Sequence, residues 1–179
     1  MAQWYVQLVM ENPVWSAMVQ FAVLGTLGDL VSRWIAARKV FMPFDPRATV
    51  LKMLQWALLA IGIKYAFTGF GGFVDALTGH SLLPVMDRLG RAFAISVAMN
   101  LQFGPFLVMA HRLLDNAIAR KTNWDKLDKS MLSLLWFWIP AHTVTFTLAR
   151  PFQIGLAALW CVVFGLILGF YNRRNQPVS

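Results

Sequence analysis

Charged side chains are scarce in this sequence, and their scarcity excludes an ordinary soluble protein. Asp, Glu, Lys and Arg make up 13% of the 179 residues, whereas soluble domains contain about 25%. Hydrophobic residues make up 58%, and the mean hydropathy is +0.57. A soluble chain of this length cannot bury so much apolar surface, so lipid has to cover part of it. The composition therefore predicts an integral membrane protein surrounded by membrane lipids.

Cysteine and the usual catalytic motifs are also lacking. Cys161 is the single cysteine and lies in an apolar run, so we expect no intramolecular disulfide and a thiol that packs as a small hydrophobic group. The three histidines, His80, His111 and His142, lie in separate segments without the short spacings of metal sites. No nucleophile elbow, phosphate-binding loop or paired-carboxylate motif is present. We therefore expect no enzyme activity, no metal and no cofactor.

The apolar residues form long segments between polar connectors, which predicts one all-α domain over residues 1–179, an integral membrane helical bundle with four to five transmembrane helices. Two segments begin with a capping residue followed by proline, at Asn12-Pro13 and Asp45-Pro46. Arg150-Pro151 divides the last apolar run, because the residue before a proline avoids the helical conformation. The connector 115–129 fits either an amphipathic interfacial helix or a solvated loop. The predicted helices span about 14–32, 47–77, 91–114, 131–149 and 152–171.

The basic residues favour five crossings over four. The formal net charge is +8, and the Lys and Arg residues lie mostly in the connectors, as membrane topology requires. With five crossings, twelve basic residues lie on one side and three on the other. This asymmetry places the amino terminus outside and the carboxyl terminus inside. No basic-aromatic motif accompanies the charge, so nucleic acid is not an expected partner.

Polar residues inside the apolar segments are the candidates for a pore or polar network. Lys64 stands out because it lies near the middle of an apolar stretch, where a Lys at the bilayer centre costs about 2.5–3.5 kcal/mol. The alternative for the uncharged residues is simple hydrogen bonding between helices, worth about 0.6 kcal/mol each. Asp29 can also reach the membrane interface from its helix end. The candidates are Asp29, Lys64, Asn100, Gln102, His142 and Arg150.

A stripe of small residues marks the last helix. Ala157, Cys161, Gly165 and Gly169 follow one another at steps of four, so they share one helix face. Such a face lets helix backbones approach closely. We expect it to pack within the bundle or against a second subunit.

Several short motifs together resemble the Mpv-seventeen family, also called the twenty-two-kilodalton peroxisomal membrane protein family. The motifs are Trp4-Tyr5, Asn12-Pro13, Gly28-Asp29, Asp45-Pro46-Arg47 and Phe103-Gly104-Pro105, with the late prolines Pro140 and Pro151 and with Trp124 in the connector. Lys64 stands where the family pattern has an aromatic residue. The resemblance implies a divergent member in an organelle membrane, with the mitochondrial inner membrane first and the peroxisomal membrane second. A bacterial plasma membrane is the alternative that the sequence leaves open.

Two functions from different classes follow. The first is a channel or carrier for small metabolites, lined by the polar residues inside the helices, in which Lys64 would suit an anionic solute. The second is a non-catalytic accessory subunit of a large mitochondrial membrane complex, with other membrane subunits or a second copy as partners. In that case Lys64 would pair with a carboxylate or a lipid headgroup.

Overall fold

A computed structural model describes residues 2–174, so the predicted domain bounds at residues 1 and 179 lie outside the described residues. The described chain forms helices and no strand. The helices are α1 (Ala2–Glu11), α2 (Pro13–Ala37), α3 (Pro46–Gly79), α4 (Arg88–Ala119), α5 (Leu127–Ser133), a π-helical segment (Leu134–Trp138), α6 (Ile139–Phe146) and α7 (Arg150–Arg174).

Helix starts follow the capping chemistry of the sequence. The Asp45 carboxylate accepts a hydrogen bond from the Ala48 N–H at 2.7 Å, directly before Pro46 at the first position of α3. Asp87 caps α4 in the same way, through the Gly90 N–H at 2.7 Å. A side-chain cap satisfies one of the N–H groups that the first helical turn leaves free.

Four helices, α2, α3, α4 and α7, are long and apolar enough to cross a membrane. Residues 127–146 run alongside these four helices, because α5, the π-helical segment and α6 follow one another without a break. Just before this stretch, Lys126 donates a hydrogen bond to the Asn172 side chain near the end of α7, at 3.1 Å. Just after it, the Thr147 carbonyl accepts a hydrogen bond from Arg88 at the start of α4. Twenty residues span about 30 Å, the thickness of a hydrocarbon core. The predicted all-α membrane bundle with four to five transmembrane helices is confirmed.

The bounds differ from the sequence prediction where polar residues continue an apolar helix. α1 was not predicted, since its ten residues are too few to cross a membrane and Asn12-Pro13 indicated the start of the first helix. The fourth predicted helix, 131–149, begins four residues earlier and ends three residues earlier in the structure. The interfacial helix suggested for 115–129 is absent from the described chain: α4 continues through Ala119, and a non-helical stretch leads to α5.

The small-residue stripe of α7 packs against α2 inside the bundle. A Cβ added to Gly165 would lie 2.2 Å from the Gly28 carbonyl oxygen, and one added to Gly169 would lie 2.8 Å from Ile35. Ala157 and Cys161, on the same face, are buried. Glycine is required at this contact because any side chain would separate the two backbones. α3, α4 and α6 complete a ring in which α6 also contacts α7.

Candidate functional site

The ring of helices encloses a cavity of about 430 Å³. Its polar groups concentrate at the end where the basic connectors α2–α3 and α4–α5 lie, and its deeper walls are mainly aromatic and aliphatic. Volumes of roughly 300–1,000 Å³ are typical of pockets for small molecules. The cavity is therefore the candidate functional site.

Lys52 forms the centre of a buried charge cluster on the cavity wall. Its side chain is 8% exposed, and its ammonium group donates to Asp115 Oδ1 from α4 and lies 3.6 Å from Asp29 Oδ2 of α2. Gln55, one turn further along α3, donates to the same Asp115 oxygen at 2.6 Å. Trp56 donates its indole N–H to Asp29 Oδ2 at 3.2 Å. Three helices are thus joined through one ammonium group and two carboxylates.

The charged groups of this cluster are paired with one another, but their charges do not sum to zero. Two carboxylates share one ammonium, so Lys52, Asp29 and Asp115 together carry one excess negative charge. His111 lies beside them, with Nδ1 at 3.7 Å from Asp115 Oδ2 and its ring 4.8 Å from that of Trp56. Charges inside a membrane protein are held by such partners or by a hydrated cavity, and this cluster has such partners and lies on the cavity wall.

Two buried polar atoms of the cluster have no hydrogen-bond partner among residues 2–174. They are Gln55 Oε1 and His111 Nε2. His111 lines the cavity, and if its Nδ1–H points to Asp115 then Nε2 is left as an acceptor. Most buried polar groups in proteins are satisfied, so an unpaired acceptor at a cavity wall indicates water or a ligand.

A second polar pair lies deeper in the cavity. Asn100 Nδ2 lies 3.1 Å from His142 Nδ1 and donates to the Ser96 carbonyl at 2.8 Å. Both paired side chains line the cavity and are largely buried. Below them the Phe67 ring packs against His142 at 5.6 Å and against Phe146 at 4.7 Å. The cavity therefore ends on an aromatic contact between α3 and α6.

The π-helical segment shapes the cavity wall. Leu134 and Trp138, at its two ends, both line the cavity, as does Ser133 just before it. Pro140 follows closely and has no N–H to donate to the preceding turn. The regular pattern of backbone hydrogen bonds in the helix is therefore interrupted at this point. π-helical turns inside α-helices are frequent at functional sites.

Of the six predicted polar candidates, the structure brings Asp29, Asn100 and His142 together in the cavity. Gln102 is exposed and lines a shallow groove on the outside of the bundle, and Arg150 is exposed at the first residue of α7. Lys64 does not line the cavity. It is half-buried and within electrostatic range of Arg150, about 18 Å along α3 from Lys52.

The length of α3 separates the position of Lys64 along the helix from its depth in the membrane. The sequence placed it at mid-depth, but α3 has 34 residues and is much longer than the hydrocarbon core is thick. The middle of the helix therefore does not define the middle of the membrane. In a tilted helix of this length, a long Lys side chain can extend its ammonium group toward the interface.

The sequence prediction missed four members of the cluster: Lys52, Gln55, His111 and Asp115. Lys52 was counted with the basic residues of the first connector although it lies within the predicted helix 47–77, and Asp115 was assigned to the connector 115–129. Their spacing carried a signal, since Lys52 and Gln55 are three residues apart and His111 and Asp115 are four apart. Each pair therefore lies on one helix face.

Metal ligation is not indicated for the part of the chain that the structure describes, where no group of three His, Cys, Asp or Glu side chains is placed to hold an ion. No family model matches the chain, and no curated protein or solved structure is significantly similar to it.

Proposed function

We propose that this protein is a channel or carrier for a small polar solute, with the cavity inside the bundle as its binding site. The observation that carries this proposal is the cavity itself, which has a charge cluster around Lys52 near one end and the Asn100–His142 pair further in. A bundle needed only for structure would gain more from filling this space with packed side chains, because voids forfeit dispersion contacts.

The two ends of the cavity differ, which supports gated rather than free passage. At the basic end the lining includes the exposed Arg33, so the cavity reaches solvent there. At the opposite end the contact of Phe67 with Phe146 closes it, and Val74, Ile95 and Ile154 are fully buried beyond. A solute can enter from one side and needs a movement of this packing to leave by the other.

Filling the cavity tests this function. Leu107 on α4 lines the cavity, whereas its neighbour Phe106 is 67% exposed on the outside of the bundle. In proteoliposomes that report solute entry by swelling, with glycerol, glycine and lactate as probes, Leu107→Trp should abolish the entry that the wild type permits. Phe106→Trp, with the same new side chain one residue away, should leave it unchanged. Equal entry with both variants, or none above empty liposomes for the wild type, would refute the proposal.

A second candidate, a subunit of a larger membrane assembly, is favoured by the outer groove between α3 and α4. Gln102 is exposed there, beside Tyr65 and Gly69, and makes no side-chain hydrogen bond within the described residues. An amide facing lipid lacks partners that a neighbouring subunit could supply. Native electrophoresis after gentle solubilisation tests this: a large species that dissociates in Gln102→Leu supports it, and a lone 20.2 kDa species contradicts it.

The membrane of residence is part of the same proposal. The resemblance to the Mpv-seventeen family favours an organelle membrane, the mitochondrial inner membrane before the peroxisomal one. Fractionation of cells that express the tagged chain would test this, with the bacterial plasma membrane as the contrary outcome.

A further inference from the structure

Two arginines at the mouth of the cavity have no acidic partner. Arg33 of α2 and Arg112 of α4 both line it, and neither forms an ion pair with a carboxylate of residues 2–174. Arg33 instead lies over the Phe44 ring, with Cζ 4.5 Å from the ring centroid, and Arg112 donates to the Asp125 carbonyl at 3.3 Å. Guanidinium groups are suited to bind carboxylates and phosphates through two parallel hydrogen bonds.

The carboxylates of the cavity are already engaged elsewhere. Asp115 accepts from Lys52 and Gln55, and Asp29 accepts from Trp56 and lies near Lys52. The charged side chains that line the cavity within residues 2–174 are therefore two carboxylates and three cations, namely Arg33, Lys52 and Arg112. Their net charge is +1 when the histidines are counted as neutral. Because the two carboxylates surround Lys52, the uncompensated positive charge lies on the two arginines at the mouth.

Other donors surround these arginines. Ser130 and Asn172 line the same end of the cavity, and the Asn172 side-chain oxygen already accepts from Lys126 at 3.1 Å. The Asn172 amide N–H groups are then the ones left for a ligand. The Ser130 hydroxyl already donates to the Lys126 carbonyl at 3.2 Å, so the donors left for a ligand at the mouth are guanidinium and amide groups, which match an acceptor-rich anion.

Below the mouth the walls become apolar. Trp56, Phe103, Trp138 and Phe164 line the interior. A fully hydrophilic anion would have to give up its hydration against these rings without gaining new hydrogen bonds. A ligand with an apolar body would instead bury that body against them.

We propose that the cavity binds an amphipathic organic anion, with its carboxylate or phosphate held by Arg33 and Arg112 and its apolar body among the aromatic walls. The anion is either a soluble metabolite or the headgroup end of an acidic lipid, since both present the same chemistry. This inference rests on the proposed function, because it names the ligand class of the same cavity.

Calorimetry on the full chain in phosphatidylcholine nanodiscs tests the ligand class with three probes that share one ring: phenyl phosphate, benzylamine and benzyl alcohol. Phenyl phosphate should bind at least about tenfold more tightly than either of the others, because it alone makes charged hydrogen bonds. Equal binding of all three, or preference for benzylamine, would overturn the proposal without any variant.

Two double variants then locate the site. Arg33→Gln/Arg112→Gln should weaken phenyl phosphate binding by roughly tenfold or more. The matched control is Arg38→Gln/Arg120→Gln, which removes the same charge just past the ends of the same two helices at positions that do not line the cavity. Binding that falls equally in both would mean a general charge effect and would contradict the assignment.

Further measurements distinguish a lipid from a soluble anion, and they distinguish a failure of the ligand class from a failure of the transport proposal. Competition by phosphatidylglycerol added to the nanodiscs assigns the site to a lipid headgroup, and lack of competition assigns it to a soluble solute; either supports an anion site. Absence of phenyl phosphate binding together with cavity-dependent swelling would refute the ligand class alone. Binding without any solute entry would refute the transport proposal alone.

Discussion

The same substitution at two lysines of α3, Lys52 and Lys64, should change the stability of the protein by very different amounts. Lys52 has a side chain that is 8% exposed and contacts two carboxylates, whereas Lys64 is half-buried, forms no ion pair with any described residue, and lies within range of another cation, Arg150. Replacement by Met keeps the length and removes the charge. Lys52→Met leaves Asp29 and Asp115 facing each other without their shared counter-ion.

The expected magnitudes differ clearly. Breaking a buried ion pair by removing one partner costs about 3–5 kcal/mol. For a chain of this size that corresponds to a fall in Tm of roughly 6–20 °C, at about 2–4 °C per kcal/mol. Lys64→Met removes no ion pair and replaces a half-buried charged group by an apolar one, so its Tm should change by no more than about 2 °C or rise slightly.

Thermal unfolding in one detergent, followed by tryptophan fluorescence, measures both variants under the same conditions. A control within the cluster is Lys52→Met/Asp115→Asn, which removes one of the stranded charges and should recover part of the lost stability. Equal effects of Lys52→Met and Lys64→Met, or a larger effect at Lys64, would refute the view that the cluster around Lys52 is the buried charge site.

Two further contrasts use matched sites. Gly165→Ala should destabilise the bundle strongly, since its Cβ would lie 2.2 Å from the Gly28 carbonyl oxygen. A Cβ at Gly72 has nothing within 4 Å, so Gly72→Ala should be neutral or slightly stabilising. Unfolding temperatures that fall equally in the two variants would contradict the close contact of α2 and α7. Asn100→Leu should lower the free energy of unfolding by about 1–3 kcal/mol, because its partner His142 is left unpaired. Gln102→Leu, two residues along on the outer face, should not destabilise the isolated chain. A larger loss of stability in Gln102→Leu than in Asn100→Leu would contradict the buried Asn100–His142 pair.

The helices were predictable because each depends on local signals. An apolar run of sufficient length requires a helix in lipid, where every backbone group has to be satisfied internally. Pro46 after Asp45 then fixes a start within a residue. The end of α4 was missed because its last turns contain Asp115 and Asn116, polar residues that the sequence alone could not separate from a connector.

The candidate site was predictable only in part, because it depends on which helix faces meet. Asn100 and His142 lie 42 residues apart in sequence and 3.1 Å apart in space, and no local pattern contains that pairing. Lys64 attracted attention because hydropathy assigns a high cost to any charge within an apolar run. Its actual cost depends on depth and on the reach of its side chain, which follow from the tilt and length of α3.

The closed end of the cavity restricts how a solute could pass. Phe67 of α3 contacts His142 and Phe146, which both belong to α6, so the proposed exit of a solute would have to separate these side chains of α3 and α6. α2 and α7 are poorly suited to that movement, because Gly28 and Gly165 hold their backbones in direct contact. The π-helical segment lies just before α6, and its hydrogen bonds depart from the regular α-helical pattern. If the proposed transport takes place, we expect α6 to move about this segment while the α2–α7 contact stays in place, because gated pathways combine a moving and a fixed part.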